Sequence, residues 1–113
     1  MLTSGDVADL DLGLPAGREA GFRHPAVIVT AQRILDAGPS VVQVVPLTTT
    51  IRPFASEIHL EPDTANGLTQ RSAAQCHQVR AVSTTRIVGV HGNVGPAALS
   101  QIRQILGLIL DIP

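Results

Sequence analysis

Short β-branched runs, cut apart by glycine and proline, limit what this chain can become. PAVIVT (25–30) and SVVQVVPL (40–47) are each long enough for a strand, too short for a helix, and flanked by breakers. The DAGPS segment between them reads as a turn. GDVADLDL (5–12) alternates, with Val7, Asp9 and Asp11 on one side and Ala8, Leu10 and Leu12 on the other, which predicts a half-buried first strand. GLPAGREAGFRH (13–24) carries three glycines and a proline, too many for a regular element, and predicts a long, mobile, exposed loop.

The second half continues the pattern. In FASEIHL (54–60), Phe54, Ser56, Ile58 and Leu60 share a parity while Glu57 and His59 point the other way. EPDTANG follows as a turn ending in Asn66-Gly67, both tolerant of left-handed backbone. A strand or bent pair is expected through SAAQCHQVRAV, a tight corner at STTR, and a last strand at IVGVHGNV. Gly95-Pro96 then opens the one clear helix, because proline's missing amide has no intrahelical partner in the first turn. Leu99, Ile102, Leu106 and Ile109 form its apolar stripe, which Ile105, Leu108 and Leu110 widen. So wide a face fits either a helix shared between its own sheet and a partner or one sunk deeper in its own domain.

Five to seven short strands and a C-terminal helix predict a mainly β fold, a small curled barrel, occupying residues 1–113 as a single domain. At 113 residues such a domain folds alone but gains from a partner, which makes a homodimer natural.

Composition narrows the function. All eight basic residues are arginine, so Schiff-base chemistry and a lysine-bearing phosphate loop are excluded. Phe22 and Phe54 are the whole aromatic content, which disfavours a protein that stacks successive bases along a strand. A formal net charge of -1 disfavours binding through a broad basic field, though a local patch stays open. Cys76 is the single cysteine, so no internal disulfide and no multi-thiolate zinc site can form; in a strand it reads as a small core residue. The acidic MLTSGDVADLD start is unlike a signal peptide, and ALSQIRQILGLILDIP is too short and too interrupted to span a membrane. The cytoplasm is therefore the expected compartment.

Three polar groupings sit at strand boundaries. Phe22-Arg23-His24-Pro25 puts a guanidinium beside an imidazole where the glycine-rich loop re-enters the sheet, and the proline holds His24 extended. Thr48-Thr49-Thr50 offers hydroxyls after an apolar strand, or is simply strand-forming threonine. Gln75, His77, Gln78 and Arg80 offer donors suited to base edges, or decorate a solvated face. His59 and His91 lack the spacing of metal ligands and read as surface or satisfied histidines.

The order GDVADLDLG, GFRHPAVIVT, VVQVVPLTTT, SAAQCHQVRAVS and a final helix ending ILGLILDIP resembles the MazF/PemK family of toxin endoribonucleases, across essentially the whole chain. The resemblance implies an SH3-like β-barrel, a homodimer, a cognate antitoxin partner, and cleavage of single-stranded RNA without metal or cofactor. In that family an arginine directly precedes the proline of the second strand; here His24 holds that place and Arg23 precedes it. Thr48 occupies the family's threonine position, His77-Gln78 with Arg80 stands where the family has Asp-Gln before a basic residue, and Ala8 replaces an aromatic. The resemblance thus makes Arg23, His24 and Thr48 the catalytic candidates, with either Arg23 or His24 in the family arginine's role. Thr49, Ser72, His77, Gln78 and Arg80 are the RNA-binding candidates.

A consistent chemistry is attack by a ribose 2′-hydroxyl on its own phosphodiester, leaving a 2′,3′-cyclic phosphate and a 5′-hydroxyl. Imidazole suits the proton transfer, because a guanidinium with a pKa above about 12 is a poor proton donor. Arg23 then stabilises the developing charge and Thr48 positions the phosphate. The competing expectations are a non-catalytic toxin of the CcdB type, acting on a protein target, and a degenerate relative that only binds RNA or antitoxin.

Overall fold

The computed structural model describes residues 1–13 and 23–113. The strands are β1 (Asp6–Asp11), β2 (Arg23–Ile28), β3 (Val41–Thr48), β4 (Glu57–Leu60), β5 (Ser72–Gln75), β6 (Arg80–Ser83) and β7 (Ile87–Asn93). The helices are a short α1 (Gln32–Leu35) and the long α2 (Gly95–Ile109). The expected loop at 13–24 falls almost wholly outside the described residues, and β2 begins at Arg23, two residues before the run that signalled it.

Among the described residues the strands form one antiparallel sheet in the order β4-β5-β3-β2-β1-β7, with β6 also paired to β3. The eight-residue β3 carries two partners on one edge, β6 along Val41–Val44 and β5 along Leu47–Thr48. The 3-10 turn Cys76–Gln78 produces this split by bending the chain between β5 and β6, as the strand-or-bent-pair reading anticipated. The mainly β fold with its C-terminal helix is as expected; its hydrogen-bonded path runs open from β4 to β7, so the barrel is a curled sheet.

The core has two halves on opposite sides of that sheet. Val7, Val27, Val45 and Leu47 face α2 and meet Leu99 and Ile102. Ala8, Leu10, Ala26, Ile28, Val42 and Val44 face the other way and meet Leu35 and Val82. The first strand is therefore buried on both faces where it starts, not half buried as its alternation suggested, because the sheet curls over it and α2 closes the other side. Alternation reports polarity along one strand; it cannot report that a second layer covers the polar side. Burying Ile102 completely contributes about 1.5–3 kcal/mol by itself.

Polar links fix the helix. Arg103 donates from Nη2 to Ser4 Oγ at 2.6 Å and to the carbonyl of Val29 at 3.2 Å, tying α2 to the end of β2. Asn93 turns the corner out of β7: its Nδ2 donates to the Ser4 carbonyl and to Asp6 Oδ1, and its Oδ1 accepts from the Gly95 amide at 2.8 Å. Gly95 has φ +85°, a conformation that costs other residues about 1–2 kcal/mol, and Pro96 follows in the first turn. The DAGPS turn was expected, but α1 ahead of it was not: four residues carry too little periodicity to announce a helix.

Candidate functional site

Strand register decides which candidates share a side of the sheet. In an antiparallel ladder, directly opposed residues project from the same face. Thr48 stands opposite Ala73, which stands opposite His59, so the three form one row. Two residues along, Glu57 stands opposite Gln75. On the other edge of β3, Ala26 pairs with Pro46. By the two-residue period, His24 follows Ala26 and Thr48 follows Pro46 to this same face, whereas Arg23 alternates to the opposite one. Arg80 joins the face through its pairing with Val44.

The β2–β3 ladder ends at Ala26–Pro46, while β2 stays bonded to β1 through His24–Leu10 and Arg23–Asp11. Among the described residues no ladder pair joins β2 to β3 past Pro46, and His24 and Thr48 stand on the two strands just beyond that point. His24 is half buried, and its Nε2 is shielded from water yet has no hydrogen-bond partner among the described residues. A buried polar atom left without a partner is uncommon, and Arg52 Nε and Glu57 Oε1 share the condition. Thr48 Oγ1 accepts from the Thr50 amide at 3.1 Å, which orients the hydroxyl and leaves its proton available. Arg23 is exposed at the strand start.

The other candidates divide. Thr49 is exposed beside Thr48. Ser72 is buried and donates its hydroxyl to the Gln70 carbonyl at 3.0 Å, shaping the turn into β5. His77 is exposed on the 3-10 turn, with Nδ1 2.9 Å from Ser56 Oγ, while Gln78 and Arg80 are half buried. His59 is a surface residue, 3.4 Å from Arg71 Nη2, and Arg71 itself pairs with Glu61 at 2.9 Å. Cys76 is fully buried at the start of the 3-10 turn rather than in a strand; burial pushes its thiol up to about 11, with the nearby Glu57 charge adding to the effect. A thiol held protonated is no nucleophile, in keeping with its reading as core.

Beside His77 lies a group the sequence did not announce. Glu57 has a side chain with no solvent exposure, and its Oε2 receives Arg52 Nη2 at 3.0 Å. The Arg52 guanidinium sits over the Phe54 ring, 5.1 Å from its centroid, and Phe54 meets the His77 ring edge-on at 6.4 Å and 78°. The expected strand from Phe54 to Leu60 is only Glu57–Leu60, since residues 54–57 turn, with the Glu57 amide donating to the Phe54 carbonyl. That turn places Phe54 and Ser56 beside His77 instead of in the core. The available signal was an arginine five residues before a strand-initial glutamate, too common a spacing to single out.

Comparison with known proteins follows this geometry. Residues 3–110 match the family described as PemK-like, MazF-like toxin of type II toxin-antitoxin system. The chain belongs to the PemK/MazF toxin family. It is similar to the endoribonuclease MazF9 of Mycobacterium tuberculosis, at 33% identity over 116 residues covering 99% of this chain and 98% of the relative. The fold is shared with crystalline MazF from Deinococcus radiodurans, with a TM-score of 0.78 at 21% identity and 96% of each chain covered. It is also shared with a mycobacterial endoribonuclease solved in complex with its cognate antitoxin, with a TM-score of 0.77 at 22% identity, covering all of this chain and 98% of that one. Among the described residues no helix is long and apolar enough to cross a membrane.

Proposed function

We propose that this PemK/MazF-family toxin is a metal-independent endonuclease of single-stranded RNA, with His24 and Thr48 at its reacting centre. The observation that carries the reading is the unpartnered, shielded Nε2 of His24 on the same side of the sheet as the Thr48 hydroxyl, across strands that have stopped pairing. In this reading the phosphodiester lies between the two side chains. The likeness to an endoribonuclease across nearly the full length supports the substrate class.

In the reaction, the ribose 2′-hydroxyl attacks the adjacent phosphorus, its proton passes to a base, and the P–O5′ bond breaks as the leaving oxygen takes up a proton. The products are a 2′,3′-cyclic phosphate and a 5′-hydroxyl. His24 transfers the proton, because imidazole alone among the nearby groups both accepts and donates one near neutral pH. Thr48 donates its hydroxyl to a non-bridging phosphate oxygen. Arg23, one residue from His24 and exposed at the strand start, is assigned to the charge that builds on the phosphorane. Thr49, His77, Gln78 and Arg80 contact the flanking nucleotides; Ser72 supports them from within its turn.

Partners follow from the outer surface. Val88 and Val90 on β7, with Leu108, Leu110 and Ile112 at the end of α2, are large apolar side chains about half or more exposed. A groove of about 700 Å³ runs along α2 past Leu99, Arg103, Gly107 and Ile112. We assign this surface to a second copy of the chain and to an acidic segment of a cognate antitoxin. The cytoplasm, where the RNA lies, is the proposed place of action.

The test is to incubate the purified protein, in EDTA, with a defined RNA pool and map the new ends. Cuts at one short sequence with 5′-hydroxyl and cyclic phosphate ends are expected, and none where the attacking ribose lacks its 2′-hydroxyl. Cutting of that 2′-deoxy substrate would refute the mechanism.

A further inference from the structure

Phe54 is the one phenylalanine among the described residues, and it belongs to neither half of the core. Half of its surface stands in solvent. A large apolar side chain gains little from such a position, yet its neighbours hold it in place. The Arg52 guanidinium lies over the ring and is itself clamped by Glu57, whose carboxylate is fully enclosed. The His77 ring abuts it edge-on, and Ser56 fixes His77 through Nδ1. The Ser56 carbonyl in turn accepts from the Cys76 amide at 3.0 Å, joining the two segments. The result is an oriented aromatic surface with a cation over the ring and an imidazole at its rim.

Its place in the sheet supplies the ligand. Glu57, three residues after Phe54, pairs with Gln75, two residues along β5 from the Ala73 that faces Thr48. Two residues of strand span about 7 Å, so the Glu57–Gln75 row, whose carboxylate braces Arg52 over the ring, lies roughly one nucleotide step beyond the Thr48 row. We infer that Phe54, braced by Arg52 and His77, is the platform on which one nucleobase of the RNA stacks beside the phosphodiester held at His24 and Thr48. The inference rests on the endonuclease reading above and adds to it a specificity subsite with three new members, Arg52, Phe54 and Glu57. Stacking on one ring is compatible with a chain too poor in aromatics to stack many bases. The rim group His77 reads the stacked base's edge, and Arg52 strengthens the π contact from behind.

The chain contains no tryptophan or tyrosine, so Phe54→Trp introduces a single indole that retains stacking and reports it. The experiment titrates this variant with a random-sequence single-stranded pool whose ribose 2′-hydroxyls are all methylated, reads indole fluorescence, and in parallel measures cleavage of unmodified RNA by wild type, Phe54→Trp, Phe54→Leu and Phe54→Ala. Expected are quenching of the indole by the pool, cleavage retained in the tryptophan variant, and a loss of about ten-fold or more in kcat/KM, borne mainly by KM, in both the leucine and alanine variants. Thermal unfolding midpoints of the four proteins should agree within a few degrees, because the ring packs into neither core. An unquenched indole, or a leucine variant that cleaves as well as wild type, overturns the platform even though RNA is cut. Quenching without any cleavage by wild type leaves the platform standing and refutes the endonuclease reading. Absence of both quenching and cleavage refutes the two together, and would point to a protein side chain as the ring's occupant.

Discussion

The fold treats two polar side chains, the buried Asn66 and the half-buried His24, in opposite ways. Asn66, 3% exposed, is saturated: Oδ1 accepts from the Asp63 and Leu68 amides, Nδ2 donates to the Glu61 carbonyl, and its own amide donates to Asp63 Oδ1 at 2.6 Å. The turn it builds lies directly on β7, where the Asn93 amide donates to the Ala65 carbonyl at 2.8 Å. His24 is shielded at Nε2 and has no hydrogen-bond partner there among the described residues. Leaving a buried donor or acceptor unpaired costs about 1–3 kcal/mol, so Asn66 adds to the stability of its turn, whereas the His24 Nε2 position carries a cost that the proposed catalytic role would account for. The contrast separates architecture from chemistry without reference to any relative.

The contrast can be broken in several ways. The largest effect is expected from His24→Ala: RNA cleavage should fall about 100-fold or more while the thermal midpoint stays level or rises, since an unsatisfied group is removed. Normal cleavage by His24→Ala, with loss in Arg23→Ala, would overturn the assignment of proton transfer to His24 and dissolve the distinction. Next is Gly92→Ala. A Cβ there would lie 2.3 Å from the Ala65 carbonyl oxygen, so the Asn66 turn must lift off β7, and chemical denaturation should show a loss of about 3 kcal/mol. Asn66→Ala should cost about 2 kcal/mol by the same measurement, with the activity of the folded fraction unchanged. A large activity loss at equal folded fraction would mean that the turn also serves the site.

The smallest effect sharpens the comparison with a third buried group. Cys76 is enclosed and only weakly bonded, its Sγ 3.7 Å from the Ala74 carbonyl oxygen, yet its thiol stays inert because burial raises it from 9.0 to about 11. The folded chain therefore binds the proton more tightly than the unfolded one. This contribution to stability is complete below about pH 9 and is lost as pH climbs through 11. Denaturation midpoints should decline over that window more steeply in wild type than in Cys76→Ala, and thiol alkylation at pH 8 should be slow until the protein is unfolded.

Much of this was legible in residue order. The short β-branched runs gave the strands, Gly95-Pro96 gave the helix start, and Asn66-Gly67 gave a turn whose Gly67 does adopt φ +70°. His24 and Thr48 each sit beside a strand end that the pattern marked, but it was the family resemblance that made them, with Arg23, catalytic candidates. The Arg52–Phe54–Glu57–His77 group could not, since its members come together only where residues 54–57 turn and the 3-10 helix at Cys76–Gln78 bends β5 into β6. A one-dimensional parity argument assigned Phe54 to a strand face; the turn removed it from that face.

By itself, then, the sequence determined the class of the protein. With no lysine, two phenylalanines and a net charge of -1, it confined any action on RNA to a local site rather than a broad basic or aromatic surface. Local propensity and hydrophobic period act over a few residues, and they were sufficient for that. What only the tertiary structure decided is the side of the sheet on which each polar residue falls: His24 with Thr48 and away from Arg23, Glu57 sealed inward, Phe54 left outward. Those outcomes depend on strand register and on where a ladder stops, and register is fixed by packing between segments tens of residues apart.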